Sequence, residues 1–122
     1  MGIIDARLAP HDIMLTYMEQ LARTDLRSYA ALVQTLQDHD AADLLPTIDV
    51  PTLVVAGDKD VFTPIRLAHE MVRRIPNAEL LVIPAGTHAA LMEQPELLCL
   101  RMEKFLAERV FPRRKIGKKE KT

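Results

Sequence analysis

The run Val50-Pro51-Thr52-Leu53-Val54-Val55-Ala56-Gly57 constrains this chain more than any other segment. It is apolar and rich in β-branched residues, and no polar side chain alternates through it. A strand with one wet face alternates, whereas a continuous apolar run of this length belongs to a strand covered on both faces, as in a parallel sheet. Pro51 is tolerated near its start because the first position need not donate to the ladder, and Gly57 ends it. Thr63-Pro64 then reads as a helix start, with Thr63 as cap and Pro64 at the first helical position. Ile65, Ala68, Met71, Val72 and Ile75 form one stripe before Pro76-Asn77 closes that helix. A second apolar run, Leu80-Leu81-Val82-Ile83, stops at Pro84. Pro95 opens a last helix with the stripe Leu98, Met102, Phe105 and Leu106, and Pro112 ends it. Residues 50–112 therefore read strand, helix, strand, helix, the order of a right-handed crossover joining two parallel strands.

Upstream of this unit, residues 1–46 read as helical. Asp12 is placed to cap a helix carrying Ile13, Tyr17, Met18 and Leu21, and Thr24 or Asp25 to cap a second carrying Leu26, Tyr29, Val33 and Leu36. A short helical turn over residues 41–45 is expected to stop before Pro46. The composition, 48% hydrophobic and 27% charged, excludes a disordered or collagen-like chain. No apolar run approaches the roughly 18 to 20 residues of a membrane span, and residues 1–7 lack the apolar stretch of a secretory signal. A single cysteine, Cys99, excludes an internal disulfide framework and an all-Cys metal site. A cytoplasmic location is the expectation. The net charge of −1 is unevenly spread. Residues 113–122 carry six Lys and Arg against Glu120, so the body is acidic and the tail basic. An acidic body repels phosphate, and the tail holds no aromatic residue for base stacking, so no nucleic-acid partner is expected. The tail reads as solvated and disordered.

A two-stranded parallel sheet has no independent stability. At 122 residues the chain has the length of one domain, yet only two strands are legible in it. It therefore either borrows strands from a partner or forms part of a larger α/β domain. In an open parallel sheet, ligands bind outside the carboxyl ends of the strands. Two loops lie there: Gly57-Asp58-Lys59-Asp60-Val61-Phe62-Thr63 after the first strand, and Pro84-Ala85-Gly86-Thr87-His88-Ala89-Ala90 after the second. With neighbouring strands about 4.8 Å apart, an acid on one loop can reach the histidine on the other. In such a pair the carboxylate fixes the imidazole tautomer and stabilises the imidazolium, while the second ring nitrogen serves as general base.

Residues 50–64, 75–84 and 85–95 together resemble the C-terminal part of the α/β-hydrolase fold. The pattern is an apolar strand, G-x-x-D, T-P, a helix, a second strand, G-x-H and a proline opening the final helix. The resemblance covers residues 48 to about 110. It implies an α/β class: a partial α/β-hydrolase fold with two parallel strands, flanking helices and an N-terminal helical segment similar to the end of a cap. The implied division is 1–47 helical segment, 48–112 C-terminal core and 113–122 basic tail. By the family's G-x-x-D pattern Asp60, rather than Asp58, would be the catalytic acid, with His88 the catalytic base. The implied reaction is hydrolysis of an ester or related bond in a small-molecule substrate, without a cofactor.

The family's nucleophile sits on a G-x-S-x-G elbow, and these 122 residues contain none. The one serine, Ser28, lies in a helical pattern without flanking glycines. Cys99 falls mid-helix and reads as a packed core residue. The oxyanion-hole donors of the family come from segments not present in the sequence. His11, His39 and His69 show no metal-ligand spacing, and the four glycines are too scattered for a phosphate loop. Two expectations follow. Either the chain supplies the acid and base to a nucleophile carried on a complementing N-terminal segment, or it is a non-catalytic interaction protein that completes its sheet as a homo-oligomer.

Overall fold

The computed structural model describes residues 4–5, 7–37 and 39–112. The basic tail, residues 113–122, lies outside them. Two helices come first: α1 (His11–Ala22) and α2 (Leu26–Gln37). The cap expected at Asp12 is not used. Pro10 occupies the cap position instead, its carbonyl accepting from Met14 N–H, and Asp12 falls inside the first turn. Asp25 does cap α2: its carboxylate accepts from Ser28 N–H at 3.0 Å and from the Ser28 hydroxyl at 2.7 Å. A 3₁₀ turn (Ala42–Thr47) then runs through Pro46 rather than ending before it. Its bonds, Leu44 N to Ala41 O and Ile48 N to Leu45 O, need nothing from the missing proline N–H.

The α/β unit follows as β1 (Thr52–Gly57), α3 (Ile65–Arg74), β2 (Ala78–Ile83), α4 (Ala90–Glu93) and α5 (Pro95–Phe105), with a π-helical turn (Leu106–Val110) at the end. The strands pair in parallel, Thr52 opposite Ala78 and Gly57 opposite Ile83, so both end level. Equal ends place the two following loops side by side. The core is centred on Leu81, Ile83 and Ala90, against which Leu53, Val55, Leu97 and Leu98 pack. Val54, of opposite parity to Val55, is buried too, so β1 is covered on both faces as its lack of alternation requires. Helix α3 packs against both strands and buries Ala68, and Ile75 closes it. At the far end Arg109 reaches back to Glu79 and Asn77, tying the last turn to the start of β2.

Much apolar surface stays uncovered among the described residues. Met102 and Leu106, expected in a buried stripe, are exposed, as are Leu26, Tyr29, Leu32 and Leu36 of α2. Cys99 is exposed as well, not packed in a core. For α5 the reason is width, whereas α2 has no extensive packing against either strand. Two strands about 4.8 Å apart make a ribbon no wider than one helix of about 10 Å, so each covering helix overhangs it. Both strands are edges of the sheet formed by the described residues. No helix among those residues is long and apolar enough to cross a membrane.

Candidate active site

The loop after β1 is built around Asp60. One carboxylate oxygen accepts from Phe62 N–H at 2.8 Å and Thr63 N–H at 3.0 Å, and the other from the Thr63 hydroxyl at 2.7 Å. Thr63 therefore does not cap α3, as its place before Pro64 led one to expect; Pro64 holds the cap position without a side-chain bond. The hydroxyl is committed to Asp60, where it helps fix the carboxylate. Asp60 Oδ2 also lies 3.0 Å from His88 Nδ1. The Asp60 side chain is 8% exposed and the His88 side chain 46%. The Phe62 ring stands against the imidazole, with centroids 5.2 Å apart and tilted by 54°.

Desolvation pushes the Asp60 carboxyl up, but the Thr63 hydroxyl and N–H, His88 and Phe62 N–H together outweigh it and hold the group down at about 2. At neutral pH Asp60 is thus a carboxylate, which accepts only, so His88 Nδ1 carries the hydrogen of their bond. Nε2 is left as the basic nitrogen, on a ring almost half in solvent. An open cleft of about 570 Å³ runs along β1 past Thr63, Asp60 and His88, with Leu67, Met71 and Leu91 on its apolar wall.

A stability prediction follows from the depressed carboxyl. Its contribution is fully present above about pH 4, the unfolded value, and is lost as pH falls toward about 2. The depression corresponds to about 2 kcal/mol. Asp60→Asn should flatten this acid limb: urea melts at pH 6 and pH 2.5 should differ less for the variant than for the parent by about that amount. Equal acid losses in both proteins would refute the assignment of the stabilisation to Asp60.

The other candidates are not brought to this site. Ser28 sits in the first turn of α2 with its hydroxyl on Asp25. Among the described residues no group of three or more His, Cys, Asp or Glu side chains converges as a metal ligand set.

The family model described as TAP-like protein matches residues 22–116, most of the chain. The chain belongs to the α/β-hydrolase family. Its relatives include a proline iminopeptidase of Levilactobacillus brevis, 36% identical over 73 residues, or 60% of this chain and 24% of the relative. A pimeloyl-[acyl-carrier protein] methyl ester esterase of Vibrio atlanticus is 31% identical over 64% of this chain and 30% of the relative. Among solved structures, an α/β-hydrolase enzyme from a sediment metagenome of the Mar Chica lagoon, Morocco, superposes with a TM-score of 0.64 at 30% identity, covering 83% of this chain and 46% of that one. The α/β-hydrolase chain thus spans less than half the length of each of these relatives.

Two features around this α/β-hydrolase loop pair were not legible in the sequence: the Thr63 hydroxyl on Asp60 and the burial of Glu93 in α4. The spacing Asp60-x-x-Thr63 is that of an acid and a hydroxyl closing one turn, a signal overshadowed by the adjacent Thr63-Pro64 pair. Glu93 is buried at 4% exposure. A carboxylate five residues past the histidine carries no periodic signal of burial.

Proposed function

We propose that this chain provides the acid and base of a nucleophile–His–Asp triad, with Asp60 orienting His88 and His88 Nε2 taking the proton of a nucleophile carried elsewhere. The observation that carries the reading is the 3.0 Å hydrogen bond between Asp60 and His88, made across the carboxyl ends of two adjacent parallel strands, where open α/β sheets do their chemistry. The substrate class is a small molecule with an ester or related acyl bond, in keeping with the esterase and peptidase names of the relatives. After attack by the nucleophile, imidazolium at His88 is stabilised by the Asp60 carboxylate and returns the proton to the leaving group. The apolar wall of the cleft suits a partly apolar acyl or alcohol group.

Within these 122 residues there is no G-x-S-x-G, the Ser28 hydroxyl is bonded to Asp25, and Cys99 is exposed in α5. The chain purified alone should therefore leave p-nitrophenyl esters unhydrolysed, while a protein uniting it with a nucleophile elbow should turn them over. His88-dependent hydrolysis by the isolated chain would contradict this reading. The free edges of β1 and β2 and the exposed apolar residues of α2 also favour a second reading, a homo-oligomer that completes its own sheet without catalysis. Light scattering separates the two: a discrete, cooperatively melting dimer belongs to the second, and association only in the presence of the nucleophile-bearing segment belongs to the first.

A further inference from the structure

Glu93, at 4% exposure, is the most deeply buried charged residue among the described residues. A carboxylate that leaves water must be matched by hydrogen bonds, and among the described residues the donors to Glu93 come from Thr87 in the loop after β2 and from Asp5. Oε2 accepts from Thr87 N–H at 2.8 Å; Oε1 accepts from the Thr87 hydroxyl and from Asp5 N–H, each at 2.6 Å. The Thr87 oxygen in turn accepts from Ala89 N–H at 3.2 Å. The two residues flanking His88 are therefore both tied to Glu93, residue 87 directly and residue 89 through the Thr87 hydroxyl. The next residue in the chain holds the start of the same loop: Gln94 Nε2 donates to the Pro84 carbonyl at 2.7 Å. The loop needs such anchoring, because Ala85 sits at φ 57°, a left-handed conformation that residues with a side chain rarely adopt. His88 itself is almost half exposed, and among the described residues Asp60 and Phe62 stand against its ring.

We infer that Glu93 is a positioning residue for the catalytic base: through Thr87 it fixes the backbone on both sides of His88 and so sets the ring against Asp60. This rests on the acid–base reading above. A carboxylate suits the task better than an amide, since three donors converge on its two oxygens and an amide nitrogen would present a fourth donor.

The test uses the 122-residue chain, ¹⁵N-labelled in its histidine rings, and reads the tautomer of neutral His88. In the parent the Nδ1–H form should dominate, and Asp60→Ala should abolish that preference. Glu93→Ala should move the ring signals at least halfway to those of Asp60→Ala while the backbone fingerprint of β1 and β2 stays in place. Thr87→Val should move them in the same direction by less, and Thr87→Ser, which keeps the hydroxyl, should restore the parent signals. Parent-like ring signals in folded Glu93→Ala overturn the inference. If Glu93→Ala does not fold, parent-like signals in Thr87→Val overturn it. Ring signals that ignore Asp60→Ala mean instead that the Asp60–His88 pairing itself is wrong.

Discussion

His88→Ala should lower kcat by roughly four to six orders of magnitude in a protein that unites this chain with its nucleophile, with KM nearly unchanged. The size follows from the division of labour. A serine hydroxyl is a poor nucleophile until a base removes its proton, and His88 is the imidazole at the carboxyl end of the sheet. Once the ring is gone, Asp60 cannot substitute, because its carboxylate is still held by the Thr63 hydroxyl and N–H and by Phe62 N–H, which keep it too weak a base near neutrality. Loss of folding does not account for such a drop. The His88 side chain is almost half exposed, and its truncation takes from Asp60 one hydrogen bond of four, a loss of roughly 1–3 kcal/mol that the melts register separately from the rate. The ratio of kcat values, with matched chemical melts, is the measurement. Retention of a tenth or more of the parent rate would remove His88 from the mechanism.

The parts of this fold that were legible are those a strand or a spacing writes locally. The unalternating run before Gly57 and the shorter one before Pro84 gave both strands, and their equal ends in the register explain why an acid three residues past one and a histidine five past the other meet. What escaped detection depends on contacts distant in sequence. Thr63 looks like a helix cap because Pro64 follows it, and only the arrangement of the loop shows its hydroxyl turned to Asp60. Glu93 lies in a four-residue helix too short for any periodicity to mark its inward face. Cys99, Met102 and Leu106 sit where an apolar stripe predicts burial, yet they are exposed, because burial depends on the breadth of the sheet beneath and not on the stripe alone. Pattern tells which face of a helix seeks cover; it does not tell whether cover is there.

Gly57→Ala should damage both the fold and the site, and the reason is space rather than backbone freedom. Gly57 does not adopt a positive φ, so alanine could take its conformation. A Cβ there, however, would stand 2.3 Å from the Gly86 carbonyl oxygen and 2.6 Å from that of Thr87. Both obstacles are backbone, and a carbonyl cannot rotate away like a side-chain tip. The loop that leaves β2 must move outward, which strains Lys59 N–H to Gly86 O and Asp58 N–H to Ile83 O, the bonds that stitch the two loops together. Forced overpacking of this kind destabilises by about 1–3 kcal/mol. The same displacement carries His88 away from Asp60, and a misplacement of about 1 Å can lower a rate roughly 10²-fold. Gly86→Ala is the informative companion. Its added Cβ would meet the Ala90 Cβ and Ile83 Cγ2 at 2.9 Å and the Ile83 carbonyl oxygen at 3.0 Å, atoms of β2 and α4 rather than of the loop carbonyls that face Gly57. It should therefore destabilise without separating the pair to the same extent. Urea melts, turnover and the His88 ring signals should fall together in Gly57→Ala; a variant within about 0.5 kcal/mol of the parent, with its ring signals unchanged, would show that the loops do not depend on this close approach.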